Sequence, residues 1–123
     1  MKFEMNIEVK NQIAIVREPG VLITSGSSAV ELLAAVRYET GCSAIVLFKE
    51  QLDESFFRLS TGLAGEVLQK FVNYQTKLAI VGDFSHYTSK PLQDFIWESN
   101  KGRQICFQPD EEAALDWLER AKV

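Results

Sequence analysis

Three short apolar runs constrain this chain more than any other feature: Ala44-Ile45-Val46-Leu47-Phe48, Leu78-Ala79-Ile80-Val81 and Ile105-Cys106-Phe107. None of them alternates with polar residues. Such runs have to be covered on both faces, which marks strands inside a layered, mostly parallel sheet. The predicted strands are Ala44–Phe48, Lys77–Val81 and residues 103–107. Helical patterns lie between them, and strands separated by helices require crossover connections.

The N-terminus follows a different rule. Phe3, Met5, Ile7 and Val9 alternate with Glu4, Asn6 and Glu8, the period of a half-buried strand. Lys10-Asn11-Gln12 forms a turn, and Ile13-Ala14-Ile15-Val16 returns as an antiparallel partner. A further short apolar run, Val21-Leu22-Ile23, follows Pro19-Gly20.

Ser28 and Glu31 have capping-box spacing, so the first helix is expected to start near Ser27 or Ser28. Ala29, Leu32, Leu33 and Val36 make its apolar stripe, and Gly41 supplies a left-handed residue to close it. Asp53 is placed to cap a short turn that includes Ser55, Phe56 and Phe57. Leu63, Ala64, Val67, Leu68 and Phe71 form the stripe of a second helix. Ser89 caps a third, with Pro91 in its first turn, where a missing amide is harmless. The acidic start Asp110-Glu111-Glu112 suits a fourth helix, with Ala113, Ala114, Trp117 and Leu118 inward. The expected fold is α/β: a mostly parallel central sheet with an N-terminal antiparallel edge hairpin and about four helices.

Composition narrows the function classes. The 123 residues read as one α/β domain, residues 1–123, able to bury one core. A net charge of -4, with the 13 Lys and Arg scattered, excludes the basic face that nucleic acid needs. No apolar run approaches the ~20 residues of a membrane span, so no membrane partner is expected. Met1-Lys2-Phe3-Glu4 lacks the apolar core of a signal peptide, and the expected location is cytoplasmic. Cys42 and Cys106 adjoin buried strands and read as reduced, apolar-like side chains. There is no Cys-x-x-Cys or Cys/His spacing for a metal, and no Gly-x-Gly-x-x-Gly or Walker spacing for a nucleotide. Neither metal nor cofactor is expected.

Chemically capable side chains gather in one place. After Val81 the chain reads Gly82-Asp83-Phe84-Ser85-His86-Tyr87-Thr88-Ser89-Lys90-Pro91. In an open α/β sheet, ligands bind beyond the carboxyl ends of strands. His86 is the single histidine and titrates near neutrality in the ordinary case. Asp83, Ser85, His86, Tyr87 and Ser89 are therefore the candidate binding residues, and Lys90, Lys101 and Arg103 form a candidate anion-attracting rim. For each there is a structural alternative: an Asx turn at Asp83, a helix cap at Ser89, solvated cations on the rim. Arg37 is expected to pair with Glu39, Glu66 or Glu98. Trp97 and Trp117 are expected to be packed, with Trp97 an interface anchor if exposed.

Two readings of function stay open. One is a non-enzymatic binding or regulatory module that meets a protein partner through the loops after the Phe48 and Val81 strands and the starts of the following helices. The other is a small-molecule sensor or enzyme using the His86 loop. The N-terminal hairpin edge also leaves room for a homodimer.

Residues 37–42, 59–66 and 82–91, continuing to Glu98-Ser99-Asn100-Lys101-Gly102-Arg103, resemble an uncharacterised bacterial domain-of-unknown-function family. More distantly, the element order and the ending from Gln104-Ile105-Cys106-Phe107 to Leu118 resemble the STAS fold of anti-sigma-factor antagonists, in its SpoIIAA-like branch. That resemblance implies partner-protein binding and, in some members, a switch by phosphorylation of a serine at a helix start after a buried strand. Ser55, in Asp53-Glu54-Ser55, is the position that matches best.

Overall fold

A computed structural model describes residues 5–121. Its strands are β1 (Ile7–Lys10), β2 (Ile13–Val16), β3 (Ala44–Phe48), β4 (Lys77–Val81) and β5 (Ile105–Gln108). Its helices are α1 (Gly26–Thr40), α2 (Leu63–Asn73), α3 (Lys90–Lys101) and α4 (Glu111–Ala121). Phe3 and Glu4 of the predicted alternation lie outside the described residues. No helix among those described is long and apolar enough to cross a membrane.

The strands form one sheet in the order β1-β2-β3-β4-β5. β1 and β2 pair antiparallel, and every later pair is parallel. An order that never reverses, joined by crossovers of one hand, carries α1, α2 and α3 to the same face. There Ala14, Val16, Ile45, Leu47, Leu78, Ile80, Ile105 and Phe107 meet the helices' apolar stripes. The alternate strand residues Ile13, Ile15, Ala44, Val46, Ala79, Val81 and Cys106 need a second cover, which Ala114, Trp117 and Leu118 of α4 provide. Two covered faces are the physical reason the central strands are apolar throughout.

Several local expectations change. The N-cap of α1 is Ser25, whose side chain accepts from the Ser28 amide, with Ser28 as the reciprocal partner. Glu31 takes no part, because Ser25 already holds the extended conformation of a cap. At the other end Gly41 does close the helix, at φ 72°. The run 21–23 contributes only an isolated bridge, Ile23 to Leu52. Among the described residues Arg37 meets no carboxylate and donates instead to the Tyr74 carbonyl and the Thr76 hydroxyl. Glu66 reaches across from α2 to accept the Gly26 amide at the start of α1, where a helix dipole favours negative charge. Trp117 is buried, whereas Trp97 is 64% exposed beneath the Lys101 ammonium.

Both cysteines are free and buried, and burial pushes the Cys106 thiol up to about 12. A thiol that cannot ionise near neutrality is inert. The outer edge of β5 is blocked at Phe107 by a side chain. Asn100 accepts the Phe107 amide through Oδ1 at 2.7 Å and donates Nδ2 to the Phe107 carbonyl at 3.2 Å. Its own carbonyl accepts the Trp117 indole N–H, which fixes it in place.

Candidate functional site

Sheet register decides which loops meet. Phe48 pairs with Val81 at the carboxyl ends of β3 and β4, so Lys49 and Gly82 leave the sheet side by side. They are close enough that a Cβ on Gly82 would stand 2.7 Å from the Lys49 Cβ. The exit of β3 is held rigid by the buried Gln51. Its Oε1 accepts the Phe48 amide at 2.8 Å, and its Nε2 donates to the Val16 and Glu18 carbonyls. A tight turn over Lys49–Gln51 then leads to a second, Glu54–Phe57, capped as expected by Asp53.

Phe57, only 2% exposed, is the floor on which the two loops join. Its ring stacks on Tyr87 at 5.3 Å and lies 5.8 Å from Phe84. Phe84 in turn meets Phe107 edge-on at 5.3 Å. A ligand crevice opens where strand order reverses and neighbouring loops turn to opposite faces. This sheet has no reversal. The loops after β3 and β4 turn the same way, and aromatic rings fill the space between them.

Polar groups sit on that floor. The Tyr87 hydroxyl donates to the Glu54 carboxylate, 3.0 Å from both oxygens. Lys49 Nζ lies 3.4 Å from His86 Nε2 and 5.0 Å above the Tyr87 ring. His86 leans on Tyr87 at 4.2 Å between ring centres. Asp83 Oδ1 accepts the Ser85 amide at 2.9 Å and the Ser85 hydroxyl at 2.6 Å, forming an Asx turn. These two bonds hold the Asp83 carboxyl below its ordinary value, with smaller help from the His86 and Lys49 charges.

Tyr87 moves the other way. Burial, then the hydrogen bond and charge of Glu54, raise its phenol well above the usual tyrosine range. A raised folded-state pKa means the contribution is fully present below the unfolded value of about 10 and is lost as pH climbs beyond it. The tyrosinate absorbance of the folded protein should therefore contain a component that lags the ordinary range. Tyr87→Phe should abolish that component, and its persistence in the variant would place the lag elsewhere.

The structure thus brings Asp83, Ser85, His86 and Tyr87 together. It gives Ser89 to the cap of α3, where its hydroxyl accepts the Leu92 amide, and pairs Lys90 with Asp94 at 3.0 Å. The predicted rim does not form. Lys101 closes α3, and the Arg103 carbonyl accepts from Lys77 at 2.7 Å, at the start of β4 and so at the opposite end of the sheet. Five strand residues, about 17 Å, separate it from Gly82. Ser55 lies inside the second tight turn and not at the start of α2, which begins at Leu63. Its hydroxyl donates to Asp53, and a phosphate there would crowd Asp53 and Glu54.

Lys49, Glu54 and Phe57 are the residues that sequence reading did not single out. The loop after Phe48 is expected to belong to the surface, and the signal for these residues is their position in it, just past the apolar run of β3. Chemically, no triad is assembled: the Ser85 hydroxyl serves Asp83, and His86 meets Lys49. Among the described residues no three His, Cys, Asp or Glu side chains are grouped to hold a metal ion. Clefts of about 560 and 370 Å³ lie elsewhere, the first beside Gln12 and Cys42, the second between Leu33 and Tyr74.

Among solved structures, the chain is similar to a Thermotoga maritima protein provisionally assigned as an anti-sigma factor antagonist. The TM-score is 0.51 at 15% identity, over 94% of this chain and 95% of the other. The fold is therefore STAS-like. No functionally curated protein matches the sequence. A family model described as a domain of unknown function, DUF4180, matches residues 8–118. By that match, which spans most of its length, the chain belongs to the DUF4180 family.

Proposed function

We propose that this chain is a non-enzymatic regulatory module that binds a protein partner through the face built by the β3 and β4 exit loops. One observation carries this reading. Lys49, Glu54, Asp83 and Tyr87 find their partners within the two loops, on a packed aromatic floor. A surface of this kind is preorganised and filled. It presents exposed charge of both signs, with exposed His86 among it, to a large partner. An enzyme or metabolite sensor needs a concave pocket that buries most of its ligand. The likeness in fold to a protein assigned as an anti-sigma factor antagonist supports the same class of activity.

A photo-crosslinking residue at position 86, compared with one at position 103 across the sheet, tests the proposal in cells. Position 86 should give an adduct of defined mass that position 103 does not. Equal adducts at both positions, or none at 86, would sink it. A small molecule that stabilises the protein, and stops doing so in His86→Ala, would put the sensor reading in its place; saturation to 100 times the dissociation constant adds about 2.7 kcal/mol.

A further inference from the structure

Among the described residues the sheet has two end strands, and only one of them is closed. Asn100 occupies the hydrogen-bonding groups of Phe107 on β5, whereas β1 is the last strand on its side. The direction of its free groups follows from the hairpin. Asn11 and Gln12 both hold positive φ, as a two-residue turn of the primed type requires. Lys10 then pairs with Ile13 and Glu8 with Ile15, and the Arg17 amide donates to the Asn6 carbonyl at 2.8 Å. Asn6, Glu8 and Lys10 thus turn their backbone groups toward β2. Ile7 and Val9 turn theirs outward, beyond the point where Glu39 caps the Met5 amide.

We infer that this edge pairs with the β1 of a second copy, antiparallel, about a two-fold axis at Val9. In that register Val9 faces Val9 of the other copy and the two exchange N–H···O=C bonds. Glu8 falls directly opposite Lys10 of the other copy, and Lys10 opposite its Glu8. The charges are self-complementary because they flank the axis symmetrically. All three side chains are accessible: Val9 is 48% exposed, Glu8 46% and Lys10 47%. Directly opposite, non-hydrogen-bonded positions bring side chains closest, which is where the ion pairs fall. Within one chain, Glu8 Oε1 accepts from Arg17 at 2.7 Å, while its Oε2 meets Lys10 only at 3.8 Å and is left for the Lys10 of the other copy. With β5 closed by Asn100, each copy has one edge to offer, so pairing ends at a dimer and does not propagate. A four-residue edge buries less than the roughly 1,200 Å² of a stable complex, so the dimer is weak and concentration-dependent.

Sedimentation velocity over a wide concentration series tests this. The wild-type mass should rise toward two chains, less steeply at high salt. Val9→Pro should stay at one chain without unfolding, since the amide it removes faces away from β2 and edge strands accept proline. Lys10→Glu and Glu8→Lys should each stay at one chain, because each sets like charges opposite one another. Mixed in equal amounts, those two variants should recover the dimer, because every facing pair is then Glu against Lys. A single-chain mass at all wild-type concentrations, a dimer that survives Val9→Pro, or a mixture no more associated than its components would overturn the inference.

Discussion

Phe57→Ala is expected to cost about 3–5 kcal/mol, the range for removing a large buried aromatic side chain. The ring is buried, and it contacts Phe56 at 5.1 Å, Tyr87 at 5.3 Å and Phe84 at 5.8 Å. Those neighbours come from two loops that no backbone ladder joins, so they cannot close over the void by moving as one body. The effect should be polarised. Amide exchange should accelerate over residues 82–89 far more than over β3 or β4, whose ladders do not depend on Phe57. Phe57→Leu keeps most of the volume and should cost less. A loss below about 1 kcal/mol in denaturant titrations of Phe57→Ala would mean that the rings are not a common floor, and the proposed surface would lose its rigidity.

Gly82→Ala is expected to cost about 1–3 kcal/mol through overpacking. The added Cβ would sit 2.7 Å from the Lys49 Cβ, 3.2 Å from its Cδ and 3.4 Å from the Phe84 Cζ. The first of these cannot swing away, because a Cβ moves only with its backbone, and the backbone there is tied to Gln51. Gly82 is itself bonded to the Gln108 carbonyl at 3.0 Å. Lys49 is therefore pushed off the Tyr87 ring and away from His86. The His86 ring resonances should shift more than those of any α4 residue, and the adduct at position 86 should weaken. Unchanged His86 resonances in a folded Gly82→Ala protein would contradict the close approach of the two loops.

The two substitutions also show where sequence reading stops. Phe57 is visible as an apolar residue after Asp53, yet nothing nearby in sequence says that it lies under Tyr87. Gly82 reads as an ordinary strand exit, yet its small size serves Lys49. In each case the partner is more than twenty residues away, and the pairing of Phe48 with Val81 brings the two together. The predicted rim fails for the same reason: Lys90, Lys101 and Arg103 are near in sequence, but a 12-residue helix spans the height of the sheet and carries the last two to its far end.

By itself the sequence determined the strands, the helices and the antiparallel hairpin, because periods of two and of about four residues, and uninterrupted apolar runs, are local consequences of what each element must bury. It also pointed to the loops after β3 and β4 as the binding surface, with named side chains only in the second. Only the tertiary structure decided that Lys49 and Glu54 complete that loop, that Phe57 fills the space beneath it, and that Asn100 seals one edge while β1 stays open. Those outcomes follow from strand order and register, which are summed over contacts across the whole chain and leave no mark on any one stretch of it.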